Sequence, residues 1–215
     1  LLAVSVLPLT AAHGLAPAVS AHGGGGLLTV ARRAPILLAC AWTCGALVMS
    51  VVALLPIYGL RSGLGEHAVV VMVSVFLIGN AALQIPIGWV SARMPQRRVL
   101  ASLAWLGIVS PLLLAPALEA GFVLWILLFL WGGSVIGFYT VGLVALGERF
   151  PGAEIAAANA AFVMAFEFGS VTGPALTGAA LAAWEPHGLV AALVGVCVLF
   201  LALLALLGRQ RLPAP

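Results

Sequence analysis

The sequence predicts an all-α membrane protein, folded as a bundle of six transmembrane helices. Hydrophobic residues make up 64% of the chain and charged residues only 7%, and the mean hydropathy is +1.23. Since a soluble globular domain normally has about 25% charged residues, this composition indicates a chain embedded in a bilayer. Six apolar segments, separated by short connections, are each close to the roughly 20 residues that a helix needs to cross the hydrocarbon.

The basic residues are distributed in a pattern that predicts the membrane topology. All nine are arginines, and the six spans place eight of them on one side of the membrane and only Arg61 on the other. Short loops rich in arginine remain in the cytoplasm, so both ends of the six-helix unit are expected to be cytoplasmic, in the plasma membrane. The eight arginines are Arg32, Arg33, Arg93, Arg97, Arg98, Arg149, Arg209 and Arg211.

In chain order, three regions are predicted. Residues 1–26 are expected to contain the end of an earlier helix and a flexible cytoplasmic linker, because they are rich in glycine, alanine and proline. Residues 27–211 form the six-helix unit, which starts with a short amphipathic turn at the membrane surface, and residues 212–215 form a cytoplasmic tail. The predicted spans cover residues 34–55, 68–90, 99–118, 122–146, 155–183 and 189–207.

Glu167 is the one acidic residue well inside a predicted span. An ionisable group at that depth costs about 3 kcal/mol on insertion scales, so it is expected to face a cavity or a partner group. Desolvation there would favour the protonated carboxyl, as a proton-coupled site requires. Asn159, Ser170 and Thr177 fall on an adjacent arc of the same helix and predict a polar stripe. The alternative is a hydrogen-bonded glutamate that locks two helices together.

The second span carries a matching pair of amides. Asn80 and Gln84 lie one helical turn apart, and because both can donate and accept hydrogen bonds they would suit a polar, weakly ionic ligand. Hydrogen bonding between helices without any ligand explains them about as well. In the fourth span Tyr139, together with Trp131 and Ser134, could supply an aromatic wall, although aromatic residues at helical spacing are more often simple packing.

Pairs of glycines four residues apart predict close helix packing. Gly133 and Gly137 form one such pair and Gly169 and Gly173 another, and small residues at this spacing let helix backbones approach each other in lipid. The sequence Gly173-Pro174 differs, because a proline within a span removes a backbone hydrogen bond and bends the helix. We therefore expect Gly169, Gly173 and Pro174 to allow this helix to flex.

The residues do not support a catalytic or cofactor-binding role. No embedded serine, cysteine or histidine set can be assembled into a nucleophile with its base, no ligand group has zinc spacing, and no glycine-rich loop has the residues of a phosphate cradle. No cofactor, metal or nucleic acid is expected, and an intramembrane enzyme is disfavoured. A membrane assembly or sensor module that does not transport remains an alternative that the residues do not exclude.

The connection after the second span carries a recognisable motif. It resembles the loop between the second and third helices of each half of the major facilitator superfamily. Ala92 stands where that family has an aspartate, and Pro95 where it has a second glycine. The positions that match in register are Gly88, Arg93, Arg97 and Arg98.

Two further segments agree with this family. Residues 147–151 are similar to its Glu-x-Phe-Pro segment, which implies that Glu148 pairs with Arg93 or Arg97 to close the cytoplasmic gate. Residues 169–174 are similar to an element of the fifth helix of a repeat, which is associated with antiporters when it occurs in the first half of a member; here it lies in the second half. The resemblance implies the C-terminal half, helices seven to twelve, of a 12-helix transporter of bacterial efflux type. Such a protein moves a small solute by alternating access, with protons as the candidate coupling ion, and needs its N-terminal six-helix half.

Overall fold

The computed structural model describes residues 27–152 and 154–207. The predicted linker, the predicted tail, Arg209 and Arg211 lie outside the described residues. Every element in the described part is an α-helix. The helices are α1 (Leu27–Arg33), α2 (Pro35–Arg61), α3 (Glu66–Ala82), α4 (Gln84–Ser91), α5 (Gln96–Leu112), α6 (Leu114–Glu119), α7 (Phe122–Arg149), α8 (Glu154–Ala183) and α9 (His187–Leu207).

Five helical stretches in the described part are long and apolar enough to cross a membrane: α2, α3 with α4, α7, α8 and α9. Each coincides with a predicted span, so the predicted all-α membrane fold is confirmed. The observed helices run past several predicted ends. The first span, for example, continues through Pro56 to Arg61, because one proline removes a single backbone hydrogen bond and the rest of the helix holds it in place.

The third predicted span, residues 99–118, differs from the prediction of one uninterrupted helix. It is divided into α5 and α6 at Leu113, and α3 and α4 are divided in the same way at Leu83. Each break comes three residues before a proline, Pro116 in one case and Pro86 in the other. A proline ring lacks the N–H and clashes with the carbonyl four positions earlier, so the helix must open at that point.

The nine helices that the structure describes pack around a central pair, α2 and α7. Helix α8 packs along α2, and α3 packs along α7, while α5 and α9 contact each other and cover the opposite side of the central pair. The two repeats of the bundle, α2–α6 and α7–α9, therefore make equivalent contacts, as expected of inverted repeats. Edge-to-face aromatic pairs fill the core, with ring centroids 5.6 Å apart for Phe76 and Trp131 and 4.8 Å apart for Phe138 and Phe200.

Glycines allow both close helix pairs to form. A side chain at Gly79 of α3 would clash with the Phe129 carbonyl of α7, and one at Gly132 of α7 would clash with the Phe76 carbonyl. In the other pair, a side chain at Gly169 of α8 would meet the backbone of α2. In the described helices, backbone therefore lies directly against backbone at both seams.

The four glycines singled out in the sequence all lie at such contacts. A side chain at Gly133 would overlap Leu83, and one at Gly137 would overlap Leu103. Gly173 lies against the backbone of Ala46 in α2, next to the contact made by Gly169. The predicted packing role of these glycines is confirmed.

Replacing Gly132 by alanine is expected to destabilise the bundle. The added methyl group must displace the backbone of α3, and overpacking of this kind costs about 1–3 kcal/mol. Since 1 kcal/mol shifts Tm by about 2–4 °C in a chain of this size, we expect a fall of several degrees in a thermal unfolding scan. Gly147→Ala in the same helix is the matched control, because nothing lies within 4 Å of the added atom. Equal effects of the two substitutions would contradict the close contact.

Ion pairs tie the helix ends together on both sides of the bundle. Arg33 before α2 pairs with Glu154 at the start of α8, with 3.2 Å between nitrogen and oxygen, and Arg61 at the end of α2 pairs with Glu185. All four side chains are largely exposed, so these pairs add little stability. They show which helix ends lie together. We name the end that carries Arg33 and the α4–α5 connection the arginine-rich end; its cytoplasmic location is a prediction.

Candidate functional site

The six residues predicted to line a cavity all lie at least partly on the surface of the described bundle. Gln84, Asn159 and Glu167 are exposed, and Asn80, Tyr139 and Ser170 are half-buried. They fall into two groups on either side of α7. Asn80 and Gln84 form one group, on α3 and α4. The other group, on α7 and α8, consists of Tyr139, Asn159, Glu167 and Ser170. No hydrogen bond joins the two groups within residues 27–152 and 154–207.

Glu167 points away from the six-helix bundle. Its neighbours on the same surface of α8 are large apolar side chains, with Phe168 64% and Val171 73% exposed. The carboxylate makes no hydrogen bond or ion pair with any other residue that the structure describes. Within this part of the chain, Glu167 therefore does not lock two helices together, which was the alternative to a functional role.

Two other polar residues of α8, Ser170 and Thr177, donate hydrogen bonds to backbone carbonyls of the same helix. The Ser170 hydroxyl donates to the Phe166 carbonyl at 3.0 Å. The predicted polar stripe is incorrect at Thr177, which is fully buried and donates to the Gly173 carbonyl at 2.8 Å. The reason is that the face of α8 that carries Gly169 and Gly173 packs on α2 and buries Thr177, whereas Glu167, on the adjacent arc, is exposed. The polar residues thus do not share one water-facing side.

Tyr139 connects α7 to α8 through its ring. The ring centroid lies 5.0 Å from that of Phe162 and 5.4 Å from that of Phe166, both edge-to-face. Trp131, the other aromatic residue considered for a cavity wall, is fully buried in the core. For Trp131 the interpretation as packing is therefore confirmed, whereas half-buried Tyr139 remains available at the surface between α7 and α8.

Asn80 offers a hydrogen-bond donor at the interface of α3 and α7. Its Nδ2 is buried and has no acceptor among the described residues, and the same is true of Trp131 Nε1. Buried N–H groups are normally satisfied, so the half-buried Asn80 side chain, once turned toward a ligand, has a donor free for one of its oxygens, whereas Trp131 lies inside the core. Gln84, one turn further along the chain, is exposed and adds a second amide at the same side of the bundle.

At the arginine-rich end, Glu148 has a different partner from the one predicted. Its Oε2 accepts a hydrogen bond from Gln96 Nε2 at 2.8 Å, and no ion pair forms with Arg93 or Arg97 in the described chain. The guanidinium of Arg93 instead lies 3.4 Å from the ring centroid of Trp89, a cation–π contact. Gln96 replaces the arginines because it begins α5 with only 6% of its surface exposed and so points toward α7.

The remaining residues of the predicted gate lie around this contact. Gly88 is half-buried in α4, and a side chain there would lie 3.7 Å from Thr140 of α7, so the two helices are close at this level. Arg97 and Arg98 are exposed. Helix α8 runs without interruption through Gly169, Gly173 and Pro174. The flexing of α8 thus stays a prediction.

Comparison with known proteins identifies the family. Residues 37–215 match the family model of the Major Facilitator Superfamily. The chain belongs to this superfamily. The resemblance inferred from the loop motif is therefore confirmed. A protein of Bacillus subtilis (strain 168) described as "Uncharacterized MFS-type transporter YfkF" is 28% identical over 123 residues, which cover 57% of this chain and 31% of that relative. The aligned region of this chain thus spans about a third of the relative's length. No solved structure matches.

In this major facilitator chain, two kinds of functional group lie at separate places in the structure. Glu167 offers an ionisable carboxyl on an apolar surface near the middle of α8, and Asn80 and Gln84 offer neutral hydrogen-bonding groups on the far side of α7. The arginine-rich end offers a hydrogen bond between two helix ends, from the start of α5 to the end of α7. The side chains of Glu167, Asn80 and Gln84 can bind a proton or a polar solute. The hydrogen bond at the arginine-rich end can form and break.

Proposed function

We propose that this major facilitator chain is half of a secondary active transporter that moves a small polar or amphipathic solute across the plasma membrane by alternating access. A second six-helix half completes the transporter, and protons are the coupling ion. The exposed carboxylate of Glu167 is the observation that carries the proposal.

The position of Glu167 supports a partner for this surface of α8. A carboxylate that faced lipid at this depth would cost about 3 kcal/mol, and the described residues provide no compensating contact. If the surface instead faces the second half across a hydrated cavity, the carboxylate stays accessible to water and protons. The exposed apolar side chains around it, such as Phe168 and Val171, then belong to the interface between halves or to the cavity wall.

The amides of Asn80 and Gln84 and the ring of Tyr139 form the proposed solute-binding site. Asn80 Nδ2 would donate to an oxygen of the solute, Gln84 would add a donor or acceptor, and the ring of Tyr139 would contact an apolar portion. Asn159 and Ser170 would add polar groups on α8, on the same side of α7 as Tyr139. None of these side chains is charged, so the solute is expected to be polar or amphipathic.

The arginine-rich end supplies the gate of the proposed cycle. In the state in which the cytoplasmic side is closed, Glu148 accepts its hydrogen bond from Gln96, and the nearby Arg93, Arg97 and Arg98 add positive potential around the carboxylate. Rocking of the halves would break this contact, and Gly173-Pro174 would absorb part of the bend of α8. Contacts made in one state alone are what shift a two-state equilibrium.

A solute-driven pH change in sealed vesicles tests this function. The full-length protein is reconstituted with a trapped pH dye, and candidate polar and amphipathic solutes are added outside. An antiporter carries solute inward and protons outward, so the lumen is expected to become alkaline, whereas a symporter would acidify it. Protein-free vesicles and vesicles with a protonophore are the controls. Solute uptake without any pH change in either direction would contradict proton coupling, and the absence of uptake for every solute class would favour the non-transporting alternative.

A further inference from the structure

A groove runs between α4 and α5 on the outside of the bundle. Its volume is about 230 Å³. Seven of its eight lining residues are apolar, the exception being Ser102. Residues from α4, the α4–α5 connection and α5 line it: Leu83, Pro86, Ile87, Val90, Met94, Val99, Ser102 and Leu103.

Along α4 the groove is about as long as one membrane leaflet is thick, and on α5 its lining residues run from Val99 to Leu103. It extends from Leu83, at the break between α3 and α4, to Met94 in the arginine-rich connection. At a helical rise of 1.5 Å per residue this is about 16 Å, roughly half of the 30 Å hydrocarbon thickness. Because proline lacks a backbone N–H, Pro86 leaves no unsatisfied donor in the groove wall. An extended acyl chain matches both the length and the apolar lining.

Positive charge lies at the open end of this groove. Arg98 precedes Ser102 by one helical turn on the same face of α5, and Arg93 precedes the lining residue Met94. Arg97 and Arg98 are exposed and have no carboxylate partner in the part of the chain that the structure describes. Glu148, the acidic residue that contacts the start of α5, accepts a hydrogen bond from Gln96. The cluster therefore keeps a net positive charge directed toward the membrane surface.

We propose that this groove binds an anionic phospholipid of the same leaflet, with one acyl chain along α4 and α5 and the phosphate at Arg98, where Arg97 adds positive charge nearby. Basic pockets between transmembrane helices at the cytoplasmic surface recognise anionic headgroups in this way. Arginine forms bidentate hydrogen bonds with phosphate oxygens. Free phosphate would use only the arginines and would leave the apolar groove without a role, which is why the lipid is the favoured occupant.

Native mass spectrometry of the full-length protein tests the site. Phosphatidylglycerol, phosphatidylethanolamine and inorganic phosphate are added separately, and the bound fraction of each is measured. Each arginine at a membrane surface contributes about fivefold in affinity for anionic lipid, so Arg97→Gln/Arg98→Gln is expected to reduce phosphatidylglycerol binding by tenfold or more. Phosphatidylethanolamine binding should change little. Ser102→Trp, at an exposed position, should displace the lipid while the arginines remain.

The matched control removes the same charge elsewhere at the arginine-rich end. Arg32→Gln/Arg33→Gln should change phosphatidylglycerol binding by less than twofold. Equal losses in both double variants would mean nonspecific attraction and overturn the proposal. So would binding that survives Ser102→Trp, phosphate that binds as well as the lipid, or a cross-linker on a cysteine at Ser102 that captures protein rather than lipid. These readouts do not involve solute movement, so they fail or succeed independently of the transport function.

Discussion

Glu167→Gln in the full-length protein is expected to reduce proton-driven solute movement to the level of protein-free vesicles and to remove its dependence on pH. Glutamine keeps the size and hydrogen-bonding groups of the side chain but cannot take up a proton. If Glu167 carries the coupling proton, no neighbouring group can replace it, because the described part of α8 has no other ionisable residue within the span. Transport in vesicles at a series of fixed pH values measures the effect.

Glu154→Gln is the control for this experiment. It makes the same substitution in the same helix, at the end where the carboxylate pairs with Arg33 at 3.2 Å. An exposed ion pair of this kind contributes little, so both the rate and its pH profile should be retained. Glu167→Gln should also leave the protein folded or slightly stabilise it, because it removes a charge from an apolar surface. An unchanged pH profile in a well-folded Glu167→Gln protein would contradict the proton role.

Much of the fold could be predicted because it depends on local properties of the sequence. Apolar runs of sufficient length and the arginines between them predicted the membrane helices, and the spacing of Gly133, Gly137, Gly169 and Gly173 predicted the contacts that these glycines make. The divided third span was missed. Its signal was present in the sequence, since Pro116, like Pro86, opens the helix at the residue three positions earlier.

The site could be predicted only in part, because it depends on which helix faces which. Helical periodicity placed Glu167 and Thr177 on adjacent arcs, but the packing of α8 on α2 buries one and exposes the other. That choice follows from the contact of Gly169 and Gly173 with α2, which the sequence of α8 alone does not determine. The partner of Glu148 was missed for a similar reason. The resemblance to the family implied a contact with Arg93 or Arg97, whereas the direction of the first turn of α5 brings in Gln96.

Charge reversal at Glu148 is expected to slow transport about tenfold and to open the arginine-rich end. The substitution Glu148→Arg removes the acceptor for Gln96 and adds a fourth positive charge near Arg93, Arg97 and Arg98. A hydrogen bond to a charged group contributes about 1.5–3 kcal/mol, and because Glu148 is exposed the lower value applies. That energy corresponds to about a tenfold shift between the closed and open states. Labelling of a cysteine at Ser91, which is only 4% exposed at the end of α4, with an impermeant maleimide reports the opening.

Glu148→Gln distinguishes the effect of the hydrogen bond with Gln96 from the effect of the charge on Glu148. Its amide oxygen can still accept from Gln96 Nε2, so if the hydrogen bond between α5 and α7 holds the gate, most of the transport rate and the low labelling should be retained. If the charge on Glu148 holds the gate through the surrounding arginines, Glu148→Gln should behave like Glu148→Arg. Normal transport and labelling in Glu148→Arg would remove this contact from the mechanism altogether. In that case Gln96 and Glu148 would only join the start of α5 to the end of α7, as the surface ion pair of Arg33 and Glu154 joins the end of α1 to the start of α8.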